Sequence, residues 1–236
     1  MKKVKLVSYT QPSIDVLKEG ISDPQDLIAY CARVSNPANQ SNTETYPKLV
    51  KYLIDHKHWS PLEMIDITME ISTTRDIARQ ILRHRSFSFQ EFSQRYADAT
   101  KLQDSLVFRD TRLQDKKNRQ NSIEIDDRTV LDPKTLMNSG WLKEEWNKQQ
   151  RKVIAAAKEA YEWAIQNNIA KEQARAVLPE GLTPSVMYMN GTLRSWVHYI
   201  ELRSANGTQK EHIEIAKACA EVIAKVFPLA NEFTQQ

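Results

Sequence analysis

The 236-residue chain contains 33 lysines and arginines against 30 aspartates and glutamates, a formal net charge of +3, and 41% of its residues are hydrophobic. These values are close to globular averages and exclude a mainly disordered chain, while a nucleic-acid-binding protein usually carries a larger, more clustered positive charge. The length suits one domain or two small, closely packed ones, and we take residues 1–236 as a single domain.

The chain has two cysteines, Cys31 and Cys219, which lie far apart among apolar residues of predicted helices. This pattern favours buried free thiols over a disulfide or a nucleophile, and it indicates a reducing compartment. No long apolar run follows the N-terminal lysines. We therefore predict neither a signal peptide nor a membrane-spanning helix, and we expect a cytoplasmic protein.

Two common phosphate-binding motifs are missing. With five glycines, the sequence contains neither a GxGxxG turn nor a GxxxxGK[ST] loop, so any phosphate-bearing ligand needs another kind of site. Histidines and cysteines do not cluster at metal-ligand spacing, and His56 with His58 is a weak signal alone, so no metal site is predicted.

The first third of the chain alternates between short helices and strands. Alternation over residues 4–6 predicts an opening strand. Asp23 followed by proline predicts the start of a helix through residues 27–32. After a polar loop, a second helix is predicted over residues 49–54.

The next elements are a capped helix start and a strand. Ser60 and Glu63 match a capping box, with serine at the N-cap and glutamate at the third helical position; a ligand contact is the alternative role for Glu63. Residues 65–71 alternate strictly between apolar and polar side chains, which predicts a strand with one buried face. A helix with an apolar stripe over residues 77–82 follows.

The most unusual stretch is residues 83–96. It carries three arginines, one histidine, one glutamate, two glutamines and three serines, interleaved with four aromatic residues. Guanidinium groups bind phosphate bidentately and stack on planar rings, so the composition predicts a nucleotide site. Gln80 and Arg83 project from one helix face at its start, and we expect residues 93–96 to be extended.

Residues 97–140 are the least regular part of the chain. Their charged runs indicate an irregular, solvated and partly mobile excursion over about 100–140, with a lid over the site as the alternative. A long helix is predicted over residues 141–167. Its predicted core face consists of Trp146, Val153, Ala157, Tyr161 and Ala164.

Two helices are predicted near the C-terminus. Thr192 is the expected N-cap of the first, which buries Trp196. Its polar stripe consists of Arg194, His198 and Glu201. Thr208 and Glu211 match a second capping box, which opens the last helix.

The triplet Arg83-His84-Arg85, seven further residues and then Ser93 resemble the RHRx7S signature of the flavin-dependent thymidylate synthases. The following Gln94-Arg95-Tyr96 is also similar to that family. The resemblance covers most of the chain, through Ala32–Ser35, His58–Glu63, Ala78–Gln80, Arg175–Pro179, Arg194–Ser195 and Glu201–Arg203.

This resemblance implies an α+β fold with a small central mixed or antiparallel sheet flanked by helices. It implies FAD as cofactor and the reductive methylation of dUMP to dTMP, with methylenetetrahydrofolate as carbon donor, NADPH as reductant and no attacking enzyme cysteine. It also implies a homotetramer with shared active sites, and neither nucleic acid nor a membrane as a partner.

Residue roles follow by matching positions. Arg203 matches the arginine that activates the uracil, acting as a fixed cation. The resemblance assigns dUMP binding to Gln80, Arg83, Glu91, Ser93, Gln94, Arg95, Arg175 and Arg203. It assigns FAD binding to Ser60, Arg83, His84, Arg85, Glu91, Arg194 and His198, and it places His58 at the folate and flavin face.

The sequence also departs from the family pattern. Gln90 stands where asparagine is usual, and either Asn190 or Thr192 takes the place of a flavin-contacting asparagine. No histidine follows Arg203 within four residues, and His212 is expected to lie too far along the next helix. We therefore expect the flavin contacts to differ and the uracil end to be kept.

Two other functions remain open at this point. The arginine and aromatic residues of the signature stretch are also typical of proteins that grip phosphates and stack on bases of single-stranded nucleic acid. A nucleotide sensor that kept the site but lost the chemistry is the other alternative.

Overall fold

In the computed structural model, residues 3–95, 106–126, 130–132 and 137–228 are described. A four-stranded sheet lies at the centre, with strand order β1-β2-β8-β3 and every neighbouring pair antiparallel. Its strands are β1 (Val4–Tyr9), β2 (Asp66–Thr74), β3 (Ser88–Glu91) and β8 (Pro184–Thr192). The predicted α+β class, with a central antiparallel sheet flanked by helices, is confirmed.

Helices surround this sheet. They are α1 (Ile14–Lys18), α2 (Pro24–Ala32), α3 (Tyr46–Asp55), α4 (Arg75–Ile81), α5 (Ser139–Gln166), α6 (Lys171–Ala174), α7 (Leu193–Ser204) and α8 (Lys210–Ile223). Two predicted caps are present: the Asp23 carboxylate accepts hydrogen bonds from the backbone of Gln25 and Asp26, and Thr192 accepts one from Ser195. Within the described ranges, no helix combines the length and apolar character that crossing a membrane requires.

The core lies between the sheet and helices α7 and α8. Ile67, Met69 and Ile71 of β2 are fully buried, which confirms the predicted alternation of that strand. Trp196 of α7 is also fully buried, as predicted, and its indole nitrogen donates to the carbonyl of Ile67 at 3.1 Å. Burial of this large side chain against the sheet fixes helix α7 in position.

Strand β8 was missing from the sequence prediction. It pairs with β2 over its whole length and with β3 on its other side, so it is a central strand. Its buried residues alternate along the strand, at Ser185, Met187, Met189 and Gly191. Methionine, glycine and serine are weak strand formers, which explains why the period-two pattern was overlooked.

Both predicted capping boxes are wrong. Ser60 lies inside a short 3-10 turn (Ser60–Met64) without a side-chain cap, and the glutamate that follows it pairs with an arginine of α7. Helix α8 has Gln209 at its N-cap, again without a side-chain cap, while Glu211 pairs with Arg112. In both cases a guanidinium from a distant element binds the carboxylate that the motif assigns to local capping.

Three residues of the predicted α5 core face are buried: Ala157, Tyr161 and Ala164. The prediction is wrong for Trp146 and Val153, which are 42% and 49% exposed. Periodicity identifies the apolar side of a helix, but it does not show how far the rest of the chain covers that side.

Part of the predicted excursion is firmly anchored. Residues 106–126 contain a hairpin of β4 (Arg112–Gln114) and β5 (Ser122–Glu124). The side chain of Gln150 in α5 exchanges two hydrogen bonds with the Arg109 backbone, at 2.7 and 3.1 Å. Arg109 is largely buried and pairs with Asp76, so the segment is anchored at this residue, although more than half of residues 106–126 are exposed.

The rest of the excursion contains a second short pairing, between β6 (Val130–Asp132) and β7 (Met137–Asn138). Residues 97–105, 127–129 and 133–136 of the predicted excursion lie outside the described residues. The lid alternative therefore stays a prediction.

Candidate active site

The signature stretch folds as a loop, an edge strand and a turn. Strand β3 forms the edge of the sheet next to β8, and the last hydrogen bond of this pairing runs from Phe92 N to Val186 O at 2.9 Å. Gln94 and Arg95 lie in a turn. The predicted extended conformation of residues 93–96 is therefore wrong for Gln94 and Arg95, and Tyr96 lies outside the described residues.

Phe87 anchors the loop that precedes β3. Its ring packs edge-on against Trp196, with centroids 4.9 Å apart, and it lies directly over Gly191 of β8. A methyl group at Gly191 would stand only 2.4 Å from Phe87 Cδ1, so only glycine permits this approach. The buried Phe87 thereby holds the adjacent Arg83-His84-Arg85 triplet against the core.

The first group of site residues centres on Arg203, in the last turn of α7. Its Nε donates a hydrogen bond to His84 Nε2 at 2.8 Å. The histidine accepts at Nε2, so its proton belongs on Nδ1. Burial, together with the nearby Arg203 charge, lowers the pKa of His84 to about 4. The imidazole is therefore neutral at pH 7, and the arginine keeps its full charge.

A second histidine joins this group. His212 is fully buried; its Nδ1 lies 3.2 Å from Gln80 Oε1 and its Nε2 lies 3.1 Å from the Tyr199 hydroxyl. Gln80 Nε2 donates to Gln209 at 2.9 Å. Burial, followed by the charges of Arg203 and His84, lowers the pKa of His212 to about 3.

The expectation that His212 lies too far along its helix to replace a flavin-facing histidine stays a prediction. Its contact with the predicted ligand residue Gln80 was not expected from the sequence. One signal in the sequence could have found it. His212 precedes Ile215, Ala216 and Cys219 at helical spacing, and those three form the buried face of α8. A histidine in such a stripe lies inside the protein and needs polar partners.

The second group surrounds a cavity of about 320 Å³ between α4, the turn after β3 and the segment around α6. Gln94 and Arg175 both line it, so the structure brings these two predicted residues together. Glu91 lies nearby and accepts a hydrogen bond from the Ser185 hydroxyl at 2.7 Å. Ser93 accepts a weak hydrogen bond, at 3.4 Å, from the backbone of Arg95.

The third group lies around the 3-10 turn that contains Ser60. Glu63 of this turn pairs with Arg194 of α7. His198 of α7 packs edge-on against Trp59, with ring centroids 4.8 Å apart. The predicted flavin residues Ser60, Arg194 and His198 are thus neighbours.

Other predicted residues stand apart from these contacts. His58 is exposed and lies near the rings of Tyr52 and His56, at 5.9 and 6.2 Å. Arg83 and Arg85 are exposed, and within the described part of the chain neither forms a hydrogen bond or an ion pair. Across that same part, no hydrogen bond or ion pair joins the three groups to one another.

The two open candidates for a flavin contact both have partners inside the chain. Asn190 donates to the Thr68 hydroxyl at 2.8 Å, and Thr192 caps α7. Gln90 is exposed on β3, opposite Tyr188 of β8.

Neither thiol is suited to nucleophilic attack. Both cysteines are free, as predicted; Cys219 is fully buried and Cys31 is partly buried. Burial raises the pKa of each thiol, which disfavours the reactive thiolate at neutral pH. Among the residues with described positions, no set of three possible metal ligands comes together.

Comparison with known proteins adds to this geometry. Residues 16–229 match the model of the family described as thymidylate synthase complementing protein, Thy1. The chain is 48% identical over 227 residues to a probable flavin-dependent thymidylate synthase of Paramecium bursaria Chlorella virus 1, covering 95% of this chain and 94% of that protein. A flavin-dependent thymidylate synthase of Synechocystis sp. is 46% identical over 225 residues, with 95% of both chains covered.

A solved structure shares the fold. The UMP/dUMP methylase PolB of Streptomyces cacaoi, bound with 5-Br dUMP, superposes with a TM-score of 0.72 at 24% identity. The superposition covers 98% of this chain and 93% of that one.

Proposed function

Because the chain belongs to the thymidylate synthase complementing protein family, we propose that it is a flavin-dependent thymidylate synthase that methylates dUMP to dTMP. Relatives named for this activity match almost the whole chain. The observation that carries the proposal is the Arg203–His84 pair, in which a neutral imidazole orients a fully charged guanidinium. Methylenetetrahydrofolate is the proposed carbon donor and NADPH the proposed reductant.

Arg203 is the residue that activates the uracil in this proposal. Only its Nε is engaged, by His84, so among the described residues its two Nη groups have no hydrogen-bond partner. A fixed cation beside the uracil favours the N3-deprotonated ring by stabilising its negative charge, and the electron-rich ring then attacks the one-carbon unit through C5. No cysteine has to add to the ring first.

The remaining dUMP contacts follow from the first two groups. Gln80 offers an amide whose orientation is fixed by His212 and Gln209. The cavity lined by Gln94 and Arg175 suits the 5′-phosphate, because a guanidinium and an amide donate to its oxygens. The other proposed dUMP contacts are Arg83, Glu91, Ser93 and Arg95.

The residues assigned to FAD fit an anionic, flat cofactor. Arg83 and Arg85 offer two exposed guanidiniums that suit a diphosphate. The proposed set is completed by Ser60, His84, Glu91, Arg194 and His198, with His58 facing the folate. When bound, the flavin supplies the hydride equivalent that turns the transferred one-carbon unit into a methyl group.

A homotetramer with shared active sites is the proposed assembly, with each chain folding as the single domain predicted over residues 1–236. Within the described part of one chain, no hydrogen bond or ion pair joins the three residue groups, as expected of a site that a neighbouring subunit completes. Large apolar side chains of α5 are also uncovered, with Trp141 at 55% and Trp163 at 59% exposed, as expected of surfaces that pack on another subunit.

Release of tritium from [5-³H]dUMP tests the activity, with FAD, NADPH and methylenetetrahydrofolate present. We expect a yellow protein and tritium release that matches dTMP formation. A colourless protein that rejects added FAD would contradict the proposal. Tight dUMP binding without tritium release would identify a sensor instead, and salt-sensitive binding to long nucleic acid without dUMP binding would favour the nucleic-acid alternative.

A further inference from the structure

We propose that Arg75 is a further nucleotide-binding residue, donating hydrogen bonds to the phosphate in the cavity beside Gln94. This inference rests on the proposed methylation of dUMP. Arg75 lies outside the signature stretch, at the first position of α4.

The first observation is a buried hydrogen-bond donor of Arg75 that has no acceptor among the described residues. Arg75 opens α4, and its side chain is only 11% exposed. Its Nη1 forms a long ion pair with Glu91 Oε1 at 3.6 Å, which is beyond hydrogen-bond distance, and no atom of the described residues accepts a hydrogen bond from that nitrogen. A buried guanidinium nitrogen without an acceptor is costly.

The second observation is a buried donor of Gln94, at the same cavity, that also has no acceptor in the described part of the chain. Gln94 is only 3% exposed, and within the described ranges its Nε2 has no hydrogen-bond partner. Arg75 and Gln94 both line the cavity of about 320 Å³. Two buried donors at one cavity indicate a ligand rich in acceptor oxygens.

The charges at the cavity select the kind of ligand. Arg79 also lines it, but both Nε and Nη2 of Arg79 donate to Glu180, at 3.0 and 2.8 Å. Among the described residues, the Arg175 side chain donates only to a backbone carbonyl, that of Glu172, at 3.3 Å. Arg75 and Arg175 are thus the cations available to a ligand, and a phosphate offers enough oxygens for both guanidiniums and the Gln94 amide.

The test compares two ligands that differ only in the phosphate. Binding of dUMP and of deoxyuridine, the latter by displacement, is measured on the flavin-loaded full-length protein and on the Arg75→Gln variant. We expect dUMP binding to weaken about 10- to 100-fold, the loss of one charge-assisted hydrogen bond. Deoxyuridine binding should change less than about threefold, since it lacks the contacted group.

Two further variants sharpen the comparison. Arg75→Lys keeps the positive charge but loses the planar, bidentate donor geometry of the guanidinium. It should weaken dUMP binding by about half as many orders of magnitude as Arg75→Gln does. It also carries the test if Arg75→Gln does not fold. Arg79→Gln removes an equal charge from the same cavity wall, and because Glu180 already engages that guanidinium, dUMP binding should weaken less than about threefold.

Equal weakening of both ligands by the Arg75 variants would overturn the proposal, because it would show a purely structural role. Unchanged dUMP binding would overturn it as well. Failure of the unmutated protein to bind dUMP would instead overturn the proposed function itself, so the two failures are distinguishable.

Discussion

Arg203 donates a hydrogen bond from its Nε to Nε2 of His84 across 2.8 Å, and the partner is a neutral imidazole. A carboxylate in that place would hold the guanidinium equally well but would cancel its charge. The imidazole fixes the direction of the guanidinium and leaves the full positive charge for a ligand.

Replacement of Arg203 by alanine should lower kcat/KM for dTMP formation by about 100- to 1,000-fold, the usual cost of removing a fixed donor that stabilises developing negative charge. The flavin content should stay unchanged, because Arg203 is not among the proposed flavin contacts. Arg151→Ala is the matched control, since that arginine lies on α5 and pairs with exposed Glu144. Activity retained without Arg203 would place the activating cation elsewhere.

Buried His212 and half-buried His84 should make the fold acid-sensitive. Their pKa values, about 4 for His84 and about 3 for His212, lie below the ordinary value of 6.5. At pH values between the folded-state pKa of each histidine and 6.5, the unfolded chain binds more protons than the folded protein does. The free energy of unfolding therefore falls as pH drops through 6.5 toward 4. The combined loss should be on the order of 2–4 kcal/mol, allowing for solvent screening at the less buried His84.

Urea denaturation between about pH 4.5 and 7 measures this dependence above the range in which most carboxylates protonate. The His212→Gln variant should show a flatter curve, because glutamine does not titrate. Parallel curves for the two proteins would show that His212 does not contribute.

The close approach of Gly191 and Phe87 predicts a packing cost. Gly191→Ala should destabilise the protein by about 1–3 kcal/mol and weaken dUMP binding, because the displaced ring carries the signature loop with it. At the control position Gly181, a new methyl group would stand 3.9 Å from its nearest neighbour. Gly181→Ala should therefore stay within about 0.5 kcal/mol of the unmutated protein in urea denaturation.

Glu211 connects the excursion to α8 through Arg112 and Arg109. Burial raises the pKa of Glu211, but the hydrogen bonds from Arg112, the backbone and Gln209, together with the Arg112 charge, outweigh it, and the pKa falls to about 2. Glu211→Gln would leave two largely buried guanidiniums short of a carboxylate and should cost about 2–4 kcal/mol in urea denaturation. The exposed Glu144, replaced in the same way, should cost less than about 0.5 kcal/mol. Similar losses of stability for the two variants would contradict the view that burial makes the Glu211 ion pairs stabilising.

Sequence patterns predicted the parts of the fold that depend on local periodicity. Strand β2 and the Thr192 cap were found because alternation and capping are local signals. Strand β8 was not predicted because its methionines and glycine fit contacts with neighbouring elements and give a weak local strand signal. The Phe87 ring over Gly191 is one such contact. The capping boxes failed because Arg194 and Arg112 bind their glutamates, and such distant partners are invisible in a window of four residues.

The same limit applies to the site. The family resemblance singled out Arg203 and His84 as functional residues, but only the fold joins them and adds His212 beside Gln80. Arg75 carries no sequence signal beyond its position at the start of a helix. In the fold, one buried nitrogen of Arg75 has no acceptor among the described residues. This becomes apparent only because Arg75 and Gln94 line the same cavity.

The claim that a fixed arginine activates the uracil without a thiolate is tested most directly by replacing both cysteines, as Cys31→Ser with Cys219→Ala, and measuring tritium release from [5-³H]dUMP. Thermal denaturation, flavin content and dUMP binding confirm that the variant is folded, with about 1 kcal/mol of stability lost at the buried Cys219. We predict dTMP formation close to that of the unmutated protein. Loss of dTMP formation in a folded variant that still binds flavin and dUMP would contradict the claim.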